Sequence, residues 1–253
     1  MSANRVALVT GGGGGIGEAV CRAMAKEGWR VAVQDRDEAA GRVLADAIDG
    51  TFISGDLTEE GICQRVIGQT VAEVGRIDAL VNNAGFQHIA PLKDFPERAW
   101  EQMMALMVTA PFLLMRYAWP HMEAQEWGRV VNMASIHGLV ASANKAGYVT
   151  AKHGLIGLTK TAALEGGPVG ITVNAICPAY VRTPLVENQI QAQADTLGLA
   201  VEEVETAVFL KSMATKKLID PGEVASLVTY LCSDAARSVT GASLTLDAGW
   251  TAQ

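Results

Sequence analysis

Three side chains suited to alcohol chemistry lie close together in the chain: the hydroxyl of Ser135, the phenol of Tyr148 and the ammonium of Lys152. Tyr148 and Lys152 are one helical turn apart, so they would share one helix face. Because a neighbouring positive charge favours phenolate, we expect the Tyr148 pKa to fall below its usual value of about 10. Tyr148 could then act as a general base. An isolated tyrosine and lysine at this spacing also suit an ordinary surface helix, so the interpretation depends on the rest of the chain.

A glycine-rich turn near the start of the chain predicts a phosphate-binding loop. The apolar run 5–9 is followed by a run of glycines, and 18–27 then has the pattern of a helix. Glycines let the backbone approach a pyrophosphate closely, and the helix N-terminus attracts its negative charge. We therefore expect a dinucleotide to contact Gly11, Gly15, Ile16 and Gly17.

Asp35 lies at the tip of the second predicted strand, 30–34, and favours NAD over NADP. A carboxylate at this position accepts hydrogen bonds from the adenosine ribose and repels a 2′-phosphate. Arg36 favours the opposite choice, because a guanidinium could bind that phosphate. Asp35 could also cap the helix predicted over 37–48. We expect NAD as the cofactor.

The next two predicted strands, 51–54 and 77–81, also end in residues that could contact a cofactor. A carboxylate at Asp56 could accept a hydrogen bond from the adenine amino group. Thr58 is predicted to cap a helix that runs to about residue 74. The cofactor-binding residues expected at these two strand ends are Asp56, Leu57, Asn83, Ala84 and Gly85.

The alternation of strands and helices predicts an α/β protein, with a doubly wound parallel sheet of about seven strands and helices on both faces. The other predicted strands are 128–133, 171–176 and 243–246, and the main later helices are 145–165 and 221–232. At 253 residues the chain, 1–253, suits a single domain. The segment 184–218 is helical by composition and long for a crossover, so we interpret it as a substrate lid. A fixed extra helical layer is the alternative.

Composition excludes several other classes of protein. The net charge of −7 and the absence of a Lys/Arg cluster argue against a nucleic-acid partner. The four cysteines have no C-x-x-C spacing, so we expect buried thiols rather than disulfides or a zinc site, and no metal. The N-terminal residues lack the pattern of a signal peptide, and the apolar stretch 103–119 is too interrupted to predict a membrane span. We expect a cytoplasmic protein.

Taken in order, the motifs resemble those of the short-chain dehydrogenase/reductase family. They are T-G-x-x-x-G-x-G at 10–17, N-N-A-G at 82–85, Ser135, Y-x-x-x-K at 148–152 and P-A-Y-V-R-T at 178–183. The resemblance implies a single-domain Rossmann fold that binds a nicotinamide dinucleotide, usually as a homotetramer. It also implies that Tyr148 and Lys152 contact the cofactor as well as the substrate. Further cofactor contacts are implied for Pro178, Val181 and Thr183, with Thr183 near the nicotinamide carboxamide or the diphosphate.

Met107 is one departure from the family pattern, because the family usually has an asparagine there. That asparagine belongs to a Ser-Asn-Tyr-Lys tetrad, in which its main-chain carbonyl holds a water near the lysine. A methionine leaves the carbonyl in place but puts the geometry of the proton relay in question. A thioether could equally fill a gap in the core.

Within the family, several segments resemble the bacterial D-3-hydroxybutyrate dehydrogenases, notably 135–145, 181–189 and the ending 249–252. The resemblance implies that the substrate carboxylate is held by Gln87, His137, Lys145 and Gln189. A lysine cation with amide and imidazole donors suits a carboxylate, since charge-assisted hydrogen bonds contribute about 1.5 to 3 kcal/mol each. Tyr180 stands where these enzymes often have tryptophan, and this difference could reshape the pocket near the substrate methyl group.

These observations predict NAD-dependent, reversible oxidation of (R)-3-hydroxybutyrate to acetoacetate. Tyr148 would be the general base, Ser135 would donate a hydrogen bond to the reacting oxygen, and Lys152 would bind the nicotinamide ribose. Two rivals stay open. The first is an NADPH-dependent 3-oxoacyl thioester reductase, or another short-chain alcohol dehydrogenase, of the same fold. The second is a non-catalytic NAD(H)-binding scaffold, which only Met107 motivates.

Overall fold

The computed structural model describes residues 5–252, which form one seven-stranded sheet with every neighbouring pair of strands parallel. The strands are short runs of aliphatic and β-branched residues, and most are buried on both faces, as parallel strands covered by helices must be. The strand order is β3-β2-β1-β4-β5-β6-β7. The strands are β1 Val6–Thr10, β2 Arg30–Asp35, β3 Thr51–Ser54, β4 Ala79–Asn82, β5 Gly128–Met133, β6 Ile171–Pro178 and β7 Ser243–Leu246.

Helices connect successive strands, and several of them begin at a side chain that caps the first turn. Asp37 and Asp220 accept backbone N–H groups at the starts of α2 and α9, and Thr183 does so at the start of α7. The helices are α1 Gly15–Lys26, α2 Glu38–Ala47, α3 Ile62–Val74, α4 Glu97–Met104, α5 Ala110–Glu123, α6 Ala146–Gly166, α7 Pro184–Leu197, α8 Val201–Val204 and α9 Pro221–Leu231.

The hydrophobic core lies in two layers, one on each face of the sheet. On one face α1, α2 and α9 pack against the strands, and α1 and α9 also contact each other. On the other face α3, α5 and α6 cover the strands, with Leu114 and Met122 among the fully buried side chains. The predicted single-domain, doubly wound Rossmann fold of about seven strands is therefore confirmed.

The predicted cap at Thr58 is wrong. Helix α3 begins four residues later, at Ile62, and its N-cap is Gly61 in the left-handed region at φ 76°. Thr58 instead closes a turn on Asp56, whose Oδ1 accepts from the Thr58 backbone N–H at 2.9 Å and from the Thr58 hydroxyl at 2.7 Å. The short polar residues thus form a local turn, which competes with helix initiation.

The segment 184–218 is less helical than its composition predicts. Helix α7 ends at Leu197, α8 is a single turn, and a π-helical turn at Glu205–Phe209 is followed by irregular chain. The segment has its own apolar cluster, formed by Val186, Ile190, Ala194, Val204 and Phe209. A β-bridge between Val181 and Ile219 joins the two ends of the segment at its base.

A second π-helical turn, Ala105–Thr109, joins α4 to α5 in one long continuous helix. Such turns bulge a helix locally and are frequent at functional sites. Among the described residues no helix is both long and apolar enough to cross a membrane. All four cysteines are free and buried, as predicted.

Candidate active site

A cavity of about 680 Å³ opens at the carboxyl ends of the parallel strands. It lies beside β1 and β4, where the strand order reverses and where open α/β sheets bind their ligands. Its volume is within the range of small-molecule sites. The glycine turn, the N-N-A-G segment, Ser135, the start of α6 and the lid segment all contribute to its lining.

The glycine turn leads from β1 into α1 and leaves little room for side chains. Gly11 has φ 60°, in the left-handed region, and a side chain at Gly17 would overlap the Gly11 carbonyl. Helix α1 begins at Gly15, and no side chain caps its first backbone N–H groups, which suits an anionic ligand. This bare backbone at the cavity wall fits a dinucleotide pyrophosphate.

Thr10 and Asn83 fasten the glycine turn to the end of β4. The Thr10 hydroxyl accepts from the backbone N–H of Asn83 at 3.0 Å and of Ala84 at 3.1 Å. The Asn83 side-chain amide donates to the carbonyls of Thr10 and Gly11, both at 3.0 Å. Asn83 therefore acts on the cofactor loop by holding its backbone in place, a contact that motif spacing did not reveal.

Asp35 lies at the cavity edge, and its carboxylate is already oriented by the backbone. Its Oδ2 accepts from the Gly13 N–H and its Oδ1 from the Asp37 N–H, both at 2.9 Å. Arg36 points into solvent, with 77% of its side chain exposed, and lies 3.9 Å from Asp56. Hydrogen bonds from Thr58 lower the Asp56 pKa despite partial burial. The wall beside the glycine turn is thus acidic.

The strand β5 and helix α6 bring Ser135, Tyr148 and Lys152 together. Ser135 follows the end of β5 in extended conformation, and its hydroxyl donates to the Pro178 carbonyl at 3.4 Å. Lys152 is 4% exposed and donates to the Met133 carbonyl at 2.6 Å. The Lys152 nitrogen lies 5.5 Å from the centre of the Tyr148 ring.

The expected fall in the Tyr148 pKa is wrong for this structure. Burial raises the pKa of Tyr148, and the opposing hydrogen bond with Ser135 is the smaller influence. Burial also lowers the Lys152 pKa to about 8. The cost of removing charge from water therefore outweighs the attraction that the helical spacing suggested. The spacing correctly placed the two groups together, but it carried no information about their burial.

A second group of side chains lies in the same cavity, beside Tyr148. The Lys145 Nζ is 3.2 Å from the Nε2 of His137, and since Lys145 donates, we assign the imidazole proton to Nδ1. Burial, then the Lys145 charge, lowers the His137 pKa to about 4, so the ring is neutral near pH 7. Burial also lowers the Lys145 pKa.

Gln189 of helix α7 donates to the Gln87 side-chain oxygen at 3.3 Å and so connects the lid segment to the loop after β4. The amide nitrogen of Gln87 is buried and has no hydrogen-bond partner among residues 5–252. Together with Lys145 it provides donors that face the cavity. The four residues of the predicted carboxylate clamp therefore lie in one cavity with the residues predicted to act on the alcohol.

The loops that carry the clamp are also tied together through the backbone. Asn144 adopts the left-handed conformation at φ 65°, and its carbonyl accepts from the Ala90 N–H at 3.0 Å. This bond joins the loop after β4 to the start of α6. Lys145 directly follows the bend, so the backbone contact helps to fix the position of its side chain.

Two aromatic residues support this side of the cavity, Tyr180 in its lining and Trp250 against His137. Trp250 packs edge-on against His137, with ring centres 6.3 Å apart, and the Asp247 carboxylate holds that C-terminal turn by accepting from Thr251. Tyr180 packs against Phe209 at 4.8 Å. The contact of Trp250 with His137 joins two segments that are distant in the chain, and no motif in either segment predicts it.

Every residue predicted for catalysis, cofactor binding or substrate binding lines this cavity except Gly17, which supports the glycine turn from behind. Several lining residues were not predicted. They include Phe86, Gln102, Leu106, Ile136 and Leu185. Hydrophobic and amide residues of this kind carry no motif, so only the three-dimensional arrangement identifies them.

Comparison with known proteins agrees with this arrangement. Residues 5–194 match the short chain dehydrogenase family. The chain is 40% identical to a D-beta-hydroxybutyrate dehydrogenase of Cupriavidus necator, with all of both chains covered. It is 42% identical to a D-beta-hydroxybutyrate dehydrogenase of Rhizobium meliloti, over 98% of this chain and 99% of that one. It is 34% identical to an acetoacetyl-CoA reductase of Rhizobium meliloti, over 97% and 98%.

The fold and the cavity define a nicotinamide-dependent oxidoreductase. The chain belongs to the short-chain dehydrogenase family.

Proposed function

We propose that this protein oxidises (R)-3-hydroxybutyrate to acetoacetate, reversibly, with NAD as the cofactor. The observation that carries the proposal is the presence of two groups in one cavity. Ser135, Tyr148 and Lys152 suit the alcohol, and the clamp of Gln87, His137, Lys145 and Gln189 suits a carboxylate. The two relatives named D-beta-hydroxybutyrate dehydrogenase support the same substrate.

Each residue has a defined part in the proposed reaction. Tyr148 takes the hydroxyl proton as a phenolate, which the Lys152 charge must stabilise against the burial that raises the Tyr148 pKa. Ser135 donates a hydrogen bond to the same oxygen as it becomes a carbonyl. Lys152 holds a positive charge beside Tyr148 and binds the nicotinamide ribose. The nicotinamide ring of the bound cofactor supplies the acceptor for the hydride of C3. The Lys145 ammonium and the Gln87 amide fix the substrate carboxylate, so that C3 is presented to the reacting groups.

Asp35 supports NAD as the cofactor. Its two backbone hydrogen bonds hold a negative charge where a ribose 2′-phosphate would have to lie. Arg36, which could compensate, is directed into solvent near Asp56. Roles for Ile16, Leu57, Ala84, Gly85, Pro178, Val181 and Thr183 in binding this cofactor belong to the same proposal, supported by their place in the cavity wall.

The segment 184–218 is proposed as the substrate lid. Helix α7 has an apolar cluster that is distinct from the two core layers, and Gln189 reaches across the cavity to Gln87. Leu210 and Met213, by contrast, belong to the core layer of α1 and α9, so we expect the opening to involve helix α7 rather than the end of the segment. The homotetramer and the cytoplasmic location expected from the sequence stay predictions.

The rival proposal is an NADPH-dependent reductase of 3-oxoacyl thioesters, favoured by the similarity to an acetoacetyl-CoA reductase. A thioester has no free carboxylate, so it would leave the Lys145 charge without its partner. The acidic wall at Asp35 also disfavours NADPH. The two activities differ in both cofactor and substrate, so one set of assays separates them.

The decisive experiment is a screen of NAD reduction with short 3-hydroxy acids of both chiralities, with NADP and with acetoacetyl-CoA plus NADPH as parallel arms. We expect the highest kcat/KM for (R)-3-hydroxybutyrate with NAD. Tyr148→Phe should lower turnover by about 10²–10⁴-fold, with NADH binding nearly intact and Tyr230→Phe as the surface control. Faster reduction of the thioester with NADPH would select the rival, and retained turnover in Tyr148→Phe would exclude the assigned base.

A further inference from the structure

The π-helical turn Ala105–Thr109 places Met107 against the catalytic end of helix α6. Met107 is 1% exposed and packs in an apolar cluster with Met103 and Ala151, to which the Tyr148 ring also contributes. A bulge of this kind shifts the face that a helix presents by inserting one extra residue into the turn. Met107 is therefore buried in this cluster, where it packs with Ala151 and Tyr148 of the catalytic end of α6, and it does not itself line the cavity.

Met107 and Lys152 both lie close to Gly85. A side-chain carbon added at Gly85 would lie 3.2 Å from the Met107 sulfur and 3.8 Å from the Lys152 nitrogen. The thioether and the ammonium thus border the same small space above the Gly85 backbone. A thioether is at most a weak hydrogen-bond acceptor, so it gives the ammonium almost no compensation for lost water.

The remaining surroundings of Lys152 come from β5, β6 and its own helix. The Met133 carbonyl accepts a hydrogen bond from the ammonium, and it is the one such partner among the described residues. The titratable groups that face it are Tyr148 on α6 and Cys177 on β6, and burial raises the pKa of both. Lys152 also contributes to the lining of the cavity.

We propose that Met107 is a positioning residue whose thioether closes the Gly85 side of the Lys152 pocket to water. The ammonium is then left with the Met133 carbonyl behind it and the cavity in front of it. The apolar wall also lowers the proton affinity of Lys152.

The side chain at position 107 should affect the pH at which Lys152 loses its positive charge. Burial lowers the Lys152 pKa to about 8, so the positive charge that supports a Tyr148 phenolate is lost as pH rises through that value. A polar group at position 107 would accept from the ammonium, favour its charged form and raise this pKa. The loss of charge would then occur at higher pH.

The test compares two substitutions at Met107. Met107→Gln keeps the length of the side chain and adds an amide oxygen, whereas Met107→Leu keeps an apolar wall. Met104→Gln is the matched control, since Met104 is a partly buried neighbour in the same cluster and has no contact with the Gly85 space. The first readout is the pH titration of the Lys152 Cε resonance by isotope-edited NMR of the protein without substrate, assigned with Lys152→Arg.

We expect the Lys152 midpoint to rise by about one pH unit in Met107→Gln, a tenfold change in proton affinity, and to stay unchanged in the other two variants. An unchanged midpoint in Met107→Gln would overturn the proposal, and so would an equal rise in Met107→Leu or Met104→Gln. If Met107→Gln does not fold, Met107→Asn carries the same test with a shorter amide.

The second readout is the alkaline limb of the kcat/KM profile for 3-hydroxybutyrate oxidation, which should move to higher pH by the same amount in Met107→Gln. This readout rests on the proposed function, whereas the NMR titration does not. A shifted NMR midpoint with no oxidation of any 3-hydroxy acid would therefore reject the proposed substrate and keep the role of Met107. A shifted profile with an unshifted midpoint would reject the role of Met107.

Discussion

The two halves of the cavity are held in different ways. In the half beside the glycine turn, side chains bond mainly to backbone: Asn83 to the Thr10 and Gly11 carbonyls, and Asp35 to two N–H groups. In the half beside the lid, functional side chains contact one another, as in the pairs Lys145–His137 and Gln189–Gln87, of which the second joins distant parts of the chain.

Because of this difference, the two halves are suited to recognise different ligands. A wall of fixed backbone groups presents the same N–H and carbonyl pattern whatever substrate is bound, which suits a cofactor that is common to all substrates. Side chains that pair with one another can release their partner and bind a ligand group instead. Substitutions in the lid half should therefore change substrate preference, and those in the glycine half should change cofactor affinity and stability.

The substitution expected to have the largest effect in this comparison is Lys145→Ala. Removing one charge-assisted hydrogen bond worth about 1.5 to 3 kcal/mol should lower kcat/KM for 3-hydroxybutyrate by about 10- to 100-fold, mostly through KM. An uncharged secondary alcohol should be affected less than about twofold, because it has no carboxylate for Lys145 to bind. Initial rates with both substrates at saturating NAD give the comparison.

Lys160→Ala is the matched control, since Lys160 lies on the same helix but is exposed. It should leave both substrates unaffected. Equal losses with the acid and the uncharged alcohol in Lys145→Ala would remove the carboxylate clamp. In that case Lys145 would contribute to the reaction with any substrate and not to recognition of the acid.

A smaller effect of the opposite kind is expected from Asn83→Ala. It leaves the Thr10 and Gly11 carbonyls without their side-chain donor, at a cost of about 1 kcal/mol for each bond. We expect thermal denaturation to show a Tm lowered by about 4–8 °C, and NADH fluorescence titration to show a several-fold weaker Kd. The KM for 3-hydroxybutyrate at saturating NAD should change little.

The exposed Asn188 on helix α7 provides the control for Asn83, and Asn188→Ala should leave both Tm and Kd unchanged. If Asn83→Ala raised the KM for the hydroxy acid more than it weakened NADH, the two halves would not be independent. The hydrogen bonds between Thr10 and Asn83 would then also help to position the substrate.

The same contrast explains what could be predicted from the sequence. The glycine turn and Asp35 were found because their context is local: an apolar run, glycines, then a helix. The carboxylate clamp was found by resemblance alone, because Lys145 and His137 become partners only when β5 and α6 meet. The direction of the Tyr148 pKa shift was missed for a related reason, since burial depends on all the surrounding elements at once.

Local rules also failed where two of them competed. Thr58 has the chemistry of a helix cap, but its backbone N–H and its hydroxyl both donate to Asp56 in a local turn, and the helix starts later. Met107 is hydrophobic and lies in a helical pattern, so nothing in its spacing shows that a π-helical turn directs it toward Lys152. In both cases the local sequence is compatible with several structures, and a contact in the folded protein decides which of them forms.

The smallest expected effect concerns pH and distinguishes the two basic side chains of the lid half, His137 and Lys145. With a pKa of about 4, His137 is neutral throughout pH 5.5–8, so it should add no pH dependence to acid binding there. Lys145, whose pKa is lowered by burial, supplies the positive charge, and the KM for 3-hydroxybutyrate should rise only as pH increases through the Lys145 pKa. Between pH 5.5 and 7 we expect less than about a twofold change in KM, in the unaltered protein and in His137→Gln alike. A step in KM centred near 6.5, lost in His137→Gln, would instead show that a charged imidazole binds the carboxylate.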